Sequence, residues 1–373
     1  MREIAYNKGL GESWYGKLTT DGFPQTVLLE LTYRCNLDCR HCYLTKDSRE
    51  KEIGAADVKN IIRQIADLGC LHLIVTGGEP LMRPDIFEIL YYARRAGLTT
   101  HLFTNGLLID SDKVMALKNT GLTSLEVSFY SLDERRYDFL VRRKGAFRKL
   151  MNSIELLKKN DMEFVLKALI LRTNFDEIAD LKKFADGLDA KIRMGIMLAA
   201  KKDGSRSNLS LRLTPQETFE AINIIDALYI AEKSETDYTG HRDNTRFLNQ
   251  AGQGEDKGHR DGYFFPCRAG RNKSLVIDPC GGLSPCLYLA SPGISALTAG
   301  IKKGWKEIKR YTEALVRPES YKCNDCYLKS FCLSCPVLKQ LESGDMSGCL
   351  PFYREIAELR KAEFERKNAA GRV

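Results

Sequence analysis

Short runs of β-branched and apolar residues recur through the first half of the chain, and stretches with helical periodicity separate them. Residues 25–31, 71–75, 99–103, 124–128, 164–169 and 191–197 have the length and composition of strands. The stretches 55–68, 85–96, 111–119, 147–158 and 175–187 place apolar residues at helical spacing. Strands that alternate with helices are joined by right-handed crossovers, so the pattern predicts a parallel sheet whose functional edge is at the strands' C-terminal ends. Eight such units close a barrel. The six found here predict an α/β fold of the partial (β/α)6 TIM-barrel type, open on one side to a large substrate.

The alternation stops after Met197. Thr214-Pro215-Gln216-Glu217 carries a capping box with proline at the first helical position and predicts a helix over 215–231. Residues 232–262 are rich in charge and glycine and read as an irregular connection, either solvated or in contact with substrate. From 267 to 349 the chain is dense in cysteine and poor in helix signal, as small metal-stapled domains are. A closing helix is expected over 351–367. The organisation expected is a leader (1–24), the partial barrel (25–205), a bridging helix and polar linker (206–262), a cysteine-rich domain (263–355) and a C-terminal helix (356–373). A leader of that length is shorter than the ~50 residues of a compact recognition domain.

Composition narrows the chemistry. The 373 residues carry 57 Lys+Arg against 49 Asp+Glu, a net charge of +8. That surplus is mild and forms no basic run with interleaved aromatics, so nucleic acid is not expected as a partner. No apolar run approaches the ~18 residues of a membrane span. The N-terminus lacks the apolar core of a signal peptide, which predicts a cytoplasmic, reducing location. Twelve cysteines there are better used as metal ligands than as disulfides.

Cys35, Cys39 and Cys42 follow the first strand in Arg-Cys-Asn-Leu-Asp-Cys-Arg-His-Cys-Tyr. A structural zinc site needs four ligands and usually pairs two Cys-x2-Cys knuckles, which this loop does not supply. Three thiolates holding three irons of a four-iron cube leave the fourth iron open, as a catalytic metal requires. The second strand ends in Thr76-Gly77-Gly78-Glu79-Pro80, where glycines allow a close backbone approach and a carboxylate can meet an ammonium. Together these segments resemble the radical S-adenosylmethionine (radical SAM) superfamily, with His41 at a position usually held by another aromatic ring. The resemblance implies an electron entering the open-site [4Fe–4S] cluster, cleavage of S-adenosyl-L-methionine (SAM) to methionine and a 5′-deoxyadenosyl radical, and hydrogen abstraction from substrate. It also implies SAM contacts at Thr76, Gly77, Gly78, Glu79, Asn105, Ser128 and Lys167. His41 and Tyr43 become candidate walls for adenine.

The remaining pattern, Cys267-x13-Gly281-x4-Cys286, then Cys323-x2-Cys326-x5-Cys332-x2-Cys335, then Cys349, resembles the SPASM extension of peptide-modifying radical SAM enzymes. It departs at Cys335, where two residues replace the more frequent three. The resemblance implies two auxiliary [4Fe–4S] clusters, one on Cys267, Cys280, Cys286 and Cys335 and the other on Cys323, Cys326, Cys332 and Cys349. Cys280 has a rival role as a hydrogen donor, and a pair of zinc ribbons is the competing reading of the region. Cys70 is left as a small buried hydrophobe. The implied function is a peptide-maturase branch enzyme acting on a peptide or protein by crosslinking, epimerisation or oxidation. The rivals are a small-molecule radical SAM enzyme, working on a tetrapyrrole side chain or an aminocyclitol, and a non-catalytic iron–sulfur or zinc module. Implied partners are a flavodoxin- or ferredoxin-type electron donor and a separate leader-peptide recognition protein.

Overall fold

Along the barrel strands one set of alternate residues is mainly apolar and packs under the helices, while the other set mixes polar residues with Leu28, Ile74, Phe103, Val165 and Leu169. In the computed structural model this pattern builds an eight-stranded sheet in the order β6-β5-β4-β3-β2-β1-β7-β8. The strands are β1 (Thr26–Glu30), β2 (His72–Thr76), β3 (Thr99–Thr104), β4 (Ser124–Ser128), β5 (Val165–Leu169), β6 (Lys191–Gly195), β7 (Ser274–Ile277) and β8 (Leu283–Ser284). The structure describes residues 23–45, 51–230, 267, 273–289, 291–315 and 321–369. The leader up to residue 22 and the connection expected over 232–262 lie outside the described residues.

Register ties the covered face together. Leu29 pairs with Val75 and Ile277, Val75 with Leu102, Leu102 with Leu125, Val127 with Leu166, and Leu166 with Ile192. All are buried, and the crossover helices pack on them. These helices are α1 (Ala55–Asp67), α2 (Ile86–Arg95), α3 (Ser111–Asn119), α4 (Glu134–Val141), α5 (Ala146–Lys159) and α6 (Ile178–Gly187). The uncovered face holds Glu30, Thr76, His101, Phe103, Glu126, Ser128, Lys167 and Arg193. A parallel sheet closed by helices on both faces has no such polar row. Here that row faces the barrel lumen, with Glu30, His101 and Glu126 buried.

Helix α7 (Pro215–Ile230) starts where the capping box predicts. The Glu217 N–H donates to Thr214 Oγ1 at 3.1 Å and Thr214 N–H to the Glu217 carboxylate at 2.7 Å. The closing helix, α10 (Pro351–Ala369), begins at the expected proline and packs on α7.

Two features of the C-terminal half differ from expectation. The barrel sheet does not end at β1, because β7, from the cysteine-rich region, pairs parallel with it. That region is also not poor in helix: α8 (Ala296–Ala314) and α9 (Pro336–Ser343) lie within it. Helix α8 buries Ala296, Ile301, Trp305, Ile308 and Thr312. Gly300 breaks its regular dihedrals with φ of 68°, and Gln64 Oε1 of α1 accepts from Ile301 N–H there at 2.9 Å.

Candidate active site and cysteine centres

Strand β1 delivers its C-terminal end directly into the cysteine loop. The end of β2 docks on that loop through backbone bonds: Gly78 N–H to the Thr32 carbonyl at 2.6 Å and Glu79 N–H to the Arg34 carbonyl at 2.8 Å. A Cβ on Gly77 would lie 2.5 Å from the Thr32 oxygen, and one on Gly78 would lie 2.3 Å from the Arg34 oxygen. The close approach that the glycines permit is therefore to the chain's own cysteine loop. Glu52 accepts from Thr32 Oγ1 at 2.7 Å and Tyr33 N–H at 2.8 Å. Arg83, itself buried, donates to the carbonyls of Leu31 and Ile53, both at 3.0 Å. From the far side the end of α4 holds the loop, with Arg40 N–H on the Leu140 carbonyl and Arg143 on the Asn36 carbonyl, each at 2.8 Å.

Within this clamp the three thiols are free of disulfides, with Cys35 exposed and Cys39 and Cys42 half-buried. Cys35 Sγ accepts from Leu37 N–H at 3.4 Å and lies 3.8 Å from Asn105 Nδ2, which donates to Asn36 Oδ1 at 2.7 Å. Burial raises the Cys35 and Cys39 thiols, and negative neighbours add to it: Glu79 and Cys42 at Cys35, and Cys42, Cys35 and Asp38 at Cys39. His41 meets Tyr130 edge-on at 4.4 Å between ring centroids. Burial lowers its pKa to about 4, so the ring is neutral at pH 7. Its Nδ1 and the Nδ2 of Asn36 are buried nitrogens without a partner among the described residues.

Glu79 is fully buried. One oxygen accepts from Leu81 N–H at 3.0 Å and Thr104 Oγ1 at 2.7 Å, and the other accepts from Asn105 N–H at 2.7 Å. Burial raises its pKa to about 6 against these donors. The carboxylate thus joins the ends of β2 and β3, and Thr76 sits at the half-buried end of β2 beside it. Ser128 and Lys167 are paired in register, and the Ser128 hydroxyl bonds that of Tyr130. Lys167 Nζ lies 3.2 Å from Glu126, whose other oxygen pairs with Arg193 at 2.8 Å, and 3.4 Å from the centre of the Phe103 ring. Tyr43 reaches the β1 end of this row. Its hydroxyl donates to Glu30 at 2.7 Å, Lys202 donates to the second Glu30 oxygen at 2.8 Å, and its ring meets Tyr288 at 5.8 Å.

Tyr288 leads to the C-terminal cysteines, because its N–H donates to Cys286 Sγ at 3.5 Å and its hydroxyl is pushed up to about 12, by burial first and then by Cys286, Cys42 and Glu30. Cys286 is influenced by Cys267, and Cys335 by both Cys267 and Cys286. Cys349 is influenced by Cys332, Cys323 and Cys326. Cys286, Cys323 and Cys335 pack against one small cluster around Leu289, Tyr321 and Val337. Cys280 sits on the β7–β8 turn, where its N–H donates to Asp278 Oδ1 at 2.8 Å. Cys70 is buried behind β1 and β2, as expected.

The residues present fit an iron–sulfur cluster and SAM. A cluster takes each thiolate on a different iron and so does not need thiols that converge on one ion. Among the described residues no three His, Cys, Asp or Glu side chains converge in that way. The two orphaned nitrogens on the cysteine loop supply polar contacts that a bound ligand can satisfy. The sequence reading did not single out Tyr130, Glu52, Arg83, Arg143 or Lys202 for roles at the site, because each reaches it through tertiary contacts. Only Tyr130 carried a signal, its place two residues beyond Ser128.

Residues 29–185 match the sequence profile of the radical SAM superfamily. The chain is similar to the AdoMet-dependent heme synthase of Methanosarcina barkeri (strain Fusaro / DSM 804), 27% identical over 86% of this chain and 94% of that protein. It is also similar to the PqqA peptide cyclase of Bradyrhizobium diazoefficiens, 30% identical over 46% of each chain, so it matches about half the length of that relative. Its fold agrees with Streptococcus suis SuiB bound to precursor peptide SuiA, with a TM-score of 0.68, 16% identity, and 93% of this chain and 81% of SuiB covered. It agrees equally with anSMEcpe bound to AdoMet and a Cp18Cys peptide, with a TM-score of 0.68, 15% identity, and 92% and 98% covered. Among the described residues no helix is long and apolar enough to cross a membrane. With the profile matched over residues 29–185 and three thiols at the mouth of β1, that part of the chain is a radical SAM domain.

Proposed function

We propose that this enzyme modifies a peptide or protein substrate, and that Cys35, Cys39 and Cys42 hold the SAM-binding cluster at the mouth of the barrel. When bound, that cluster and SAM supply a 5′-deoxyadenosyl radical that takes a hydrogen atom from the substrate. The chain's residues bind and orient. Gly77, Gly78 and Glu79 fix the cysteine loop against β2, and Asn105 holds Asn36 beside Cys35. His41 and Tyr130 line the loop with neutral rings. Ser128 and Lys167, with Thr76, present polar groups to the carboxylate and amine ends of SAM along the lumen row. Glu79 supports that end from behind, since both its oxygens are committed to protein donors. Water exclusion comes from the substrate closing the open side of the barrel.

The C-terminal cysteines are proposed to hold two auxiliary [4Fe–4S] clusters, with Cys280 as fourth ligand beside Cys267, Cys286 and Cys335. The observation that carries the peptide reading is the agreement of the fold, over more than nine-tenths of the chain, with two peptide-bound proteins. A tetrapyrrole side chain is the second reading, because the heme synthase relative is matched over nearly its full length. The test is anaerobic incubation of reconstituted enzyme, SAM and reductant with either a peptide encoded beside its gene or a tetrapyrrole precursor. A mass change in the peptide alone supports the proposal, and a mass change in the tetrapyrrole alone overturns it. The reading also expects an external low-potential electron donor of flavodoxin or ferredoxin type.

A further inference from the structure

Cys335 caps the start of helix α9, and one turn later Lys339 reaches into the protein interior. Lys339 is 1% exposed. Its Nζ donates to the Tyr321 hydroxyl and to Cys323 Sγ, both at 3.2 Å, and lies 4.9 Å from the centre of the Tyr321 ring. A buried ammonium requires an anion. The buried carboxylate one turn further on, Glu342, is committed to Arg212 through both oxygens at 2.8 Å. The sulfur within reach of Lys339 is that of Cys323. The other thiol group is treated differently: the cation felt by Cys286 is Lys202, which Glu30 already engages.

We infer that Lys339 is the counter-ion of the cluster held by Cys323, Cys326, Cys332 and Cys349, and that it raises that cluster's reduction potential above that of the Cys267–Cys286–Cys335 cluster. The inference rests on the auxiliary-cluster reading above. The step it governs is a one-electron reduction in which the cluster gains one negative charge, the donor loses one electron, and no bond is formed or broken. A fixed ammonium in hydrogen-bond contact with a ligating sulfur stabilises the more negative state. Lys339 acts through Cys323 and is a positioning residue for charge.

The test is a redox titration of fully reconstituted enzyme, with dithionite as reductant and electron paramagnetic resonance as readout. Lys339→Met should keep its iron and shift one cluster to lower potential by at least a tenfold change in its oxidised-to-reduced ratio, 59 mV for one electron. Lys339→Arg, which keeps the charge, should return most of that shift. In the unmodified protein, the signal that disappears in Cys326→Ala should be the first of the two auxiliary signals to be reduced. An unchanged potential in Lys339→Met at full iron content, or a Cys326-dependent signal that is reduced last, overturns the inference. Unmodified enzyme with about four irons in place of about twelve overturns the auxiliary-cluster reading itself, and the inference with it.

Discussion

Cys35 lies among uncharged donors and acidic neighbours, whereas Cys323 lies against a buried ammonium. At the barrel mouth the Leu37 N–H and Asn105 amide face Cys35, and the charges it feels are those of Glu79 and Cys42. His41 adds no positive charge there, since burial keeps it neutral. At the C-terminal end Lys339 reaches Cys323 directly. Negative surroundings favour the oxidised cluster and make the reduced one a strong reductant, while a nearby cation does the opposite. On the proposed ligand sets, one chain would provide a low-potential end suited to splitting SAM and a higher-potential end suited to receiving an electron.

Removing one end separates the two most sharply. Cys35→Ala, Cys39→Ala and Cys42→Ala together should remove about a third of the iron and abolish 5′-deoxyadenosine formation. Cys323→Ala with Cys326→Ala should remove a similar share and leave SAM cleavage in place. Cleavage surviving in the first variant, or lost in the second, breaks the comparison.

A smaller effect is expected from Gly78→Ala. The added methyl would meet the Arg34 carbonyl, a backbone atom that cannot swing aside. Overpacking costs ~1–3 kcal/mol, and the strain falls on the backbone bearing Cys35. The variant should lose SAM cleavage roughly tenfold or more at unchanged auxiliary iron, measured as deoxyadenosine per chain. Cleavage at the unmodified rate would show that the β2 turn does not set the loop's position.

The smallest effect concerns His41. Its folded pKa, about 4, lies below the ordinary value near 6.5, so the unfolded chain binds more protons between those limits. Stability from this group is therefore complete above pH 6.5 and is lost as pH falls towards 4, by ~3 kcal/mol in total. His41→Phe should flatten urea-unfolding stability across that window in the cluster-free chain. An equally steep dependence in the variant would mean that His41 titrates normally and brings a cation to the barrel mouth.

Much of this could be read from the sequence because the signals are local. The strands of the barrel announce themselves by apolar runs between helical periods, and Thr214 with Glu217 marks the start of α7. Cys35, Cys39 and Cys42 carry their spacing on one loop. Helix α8 was hidden because Gly300 and Gly304 weaken its helical signal, although Ile301, Trp305 and Ile308 keep the period. The β1–β7 pairing joins residues far apart in sequence and leaves no local mark. Glu79 was legible as part of a motif, but its satisfaction by Leu81, Thr104 and Asn105 needs three elements brought together in space. The same holds for Lys339, an ordinary helix residue in sequence whose acceptors among the described residues are a tyrosine and a cysteine contributed from 18 and 16 positions away.

The central claim is that the three cysteine sets differ in potential in the order their surroundings dictate. One redox titration of the reconstituted enzyme, with each signal assigned by loss in a cysteine variant, tests it directly. The account predicts that the signal lost with Cys35, Cys39 and Cys42 is reduced last and the signal lost with Cys326 first. A barrel-mouth cluster that takes its electron before either auxiliary cluster would contradict it.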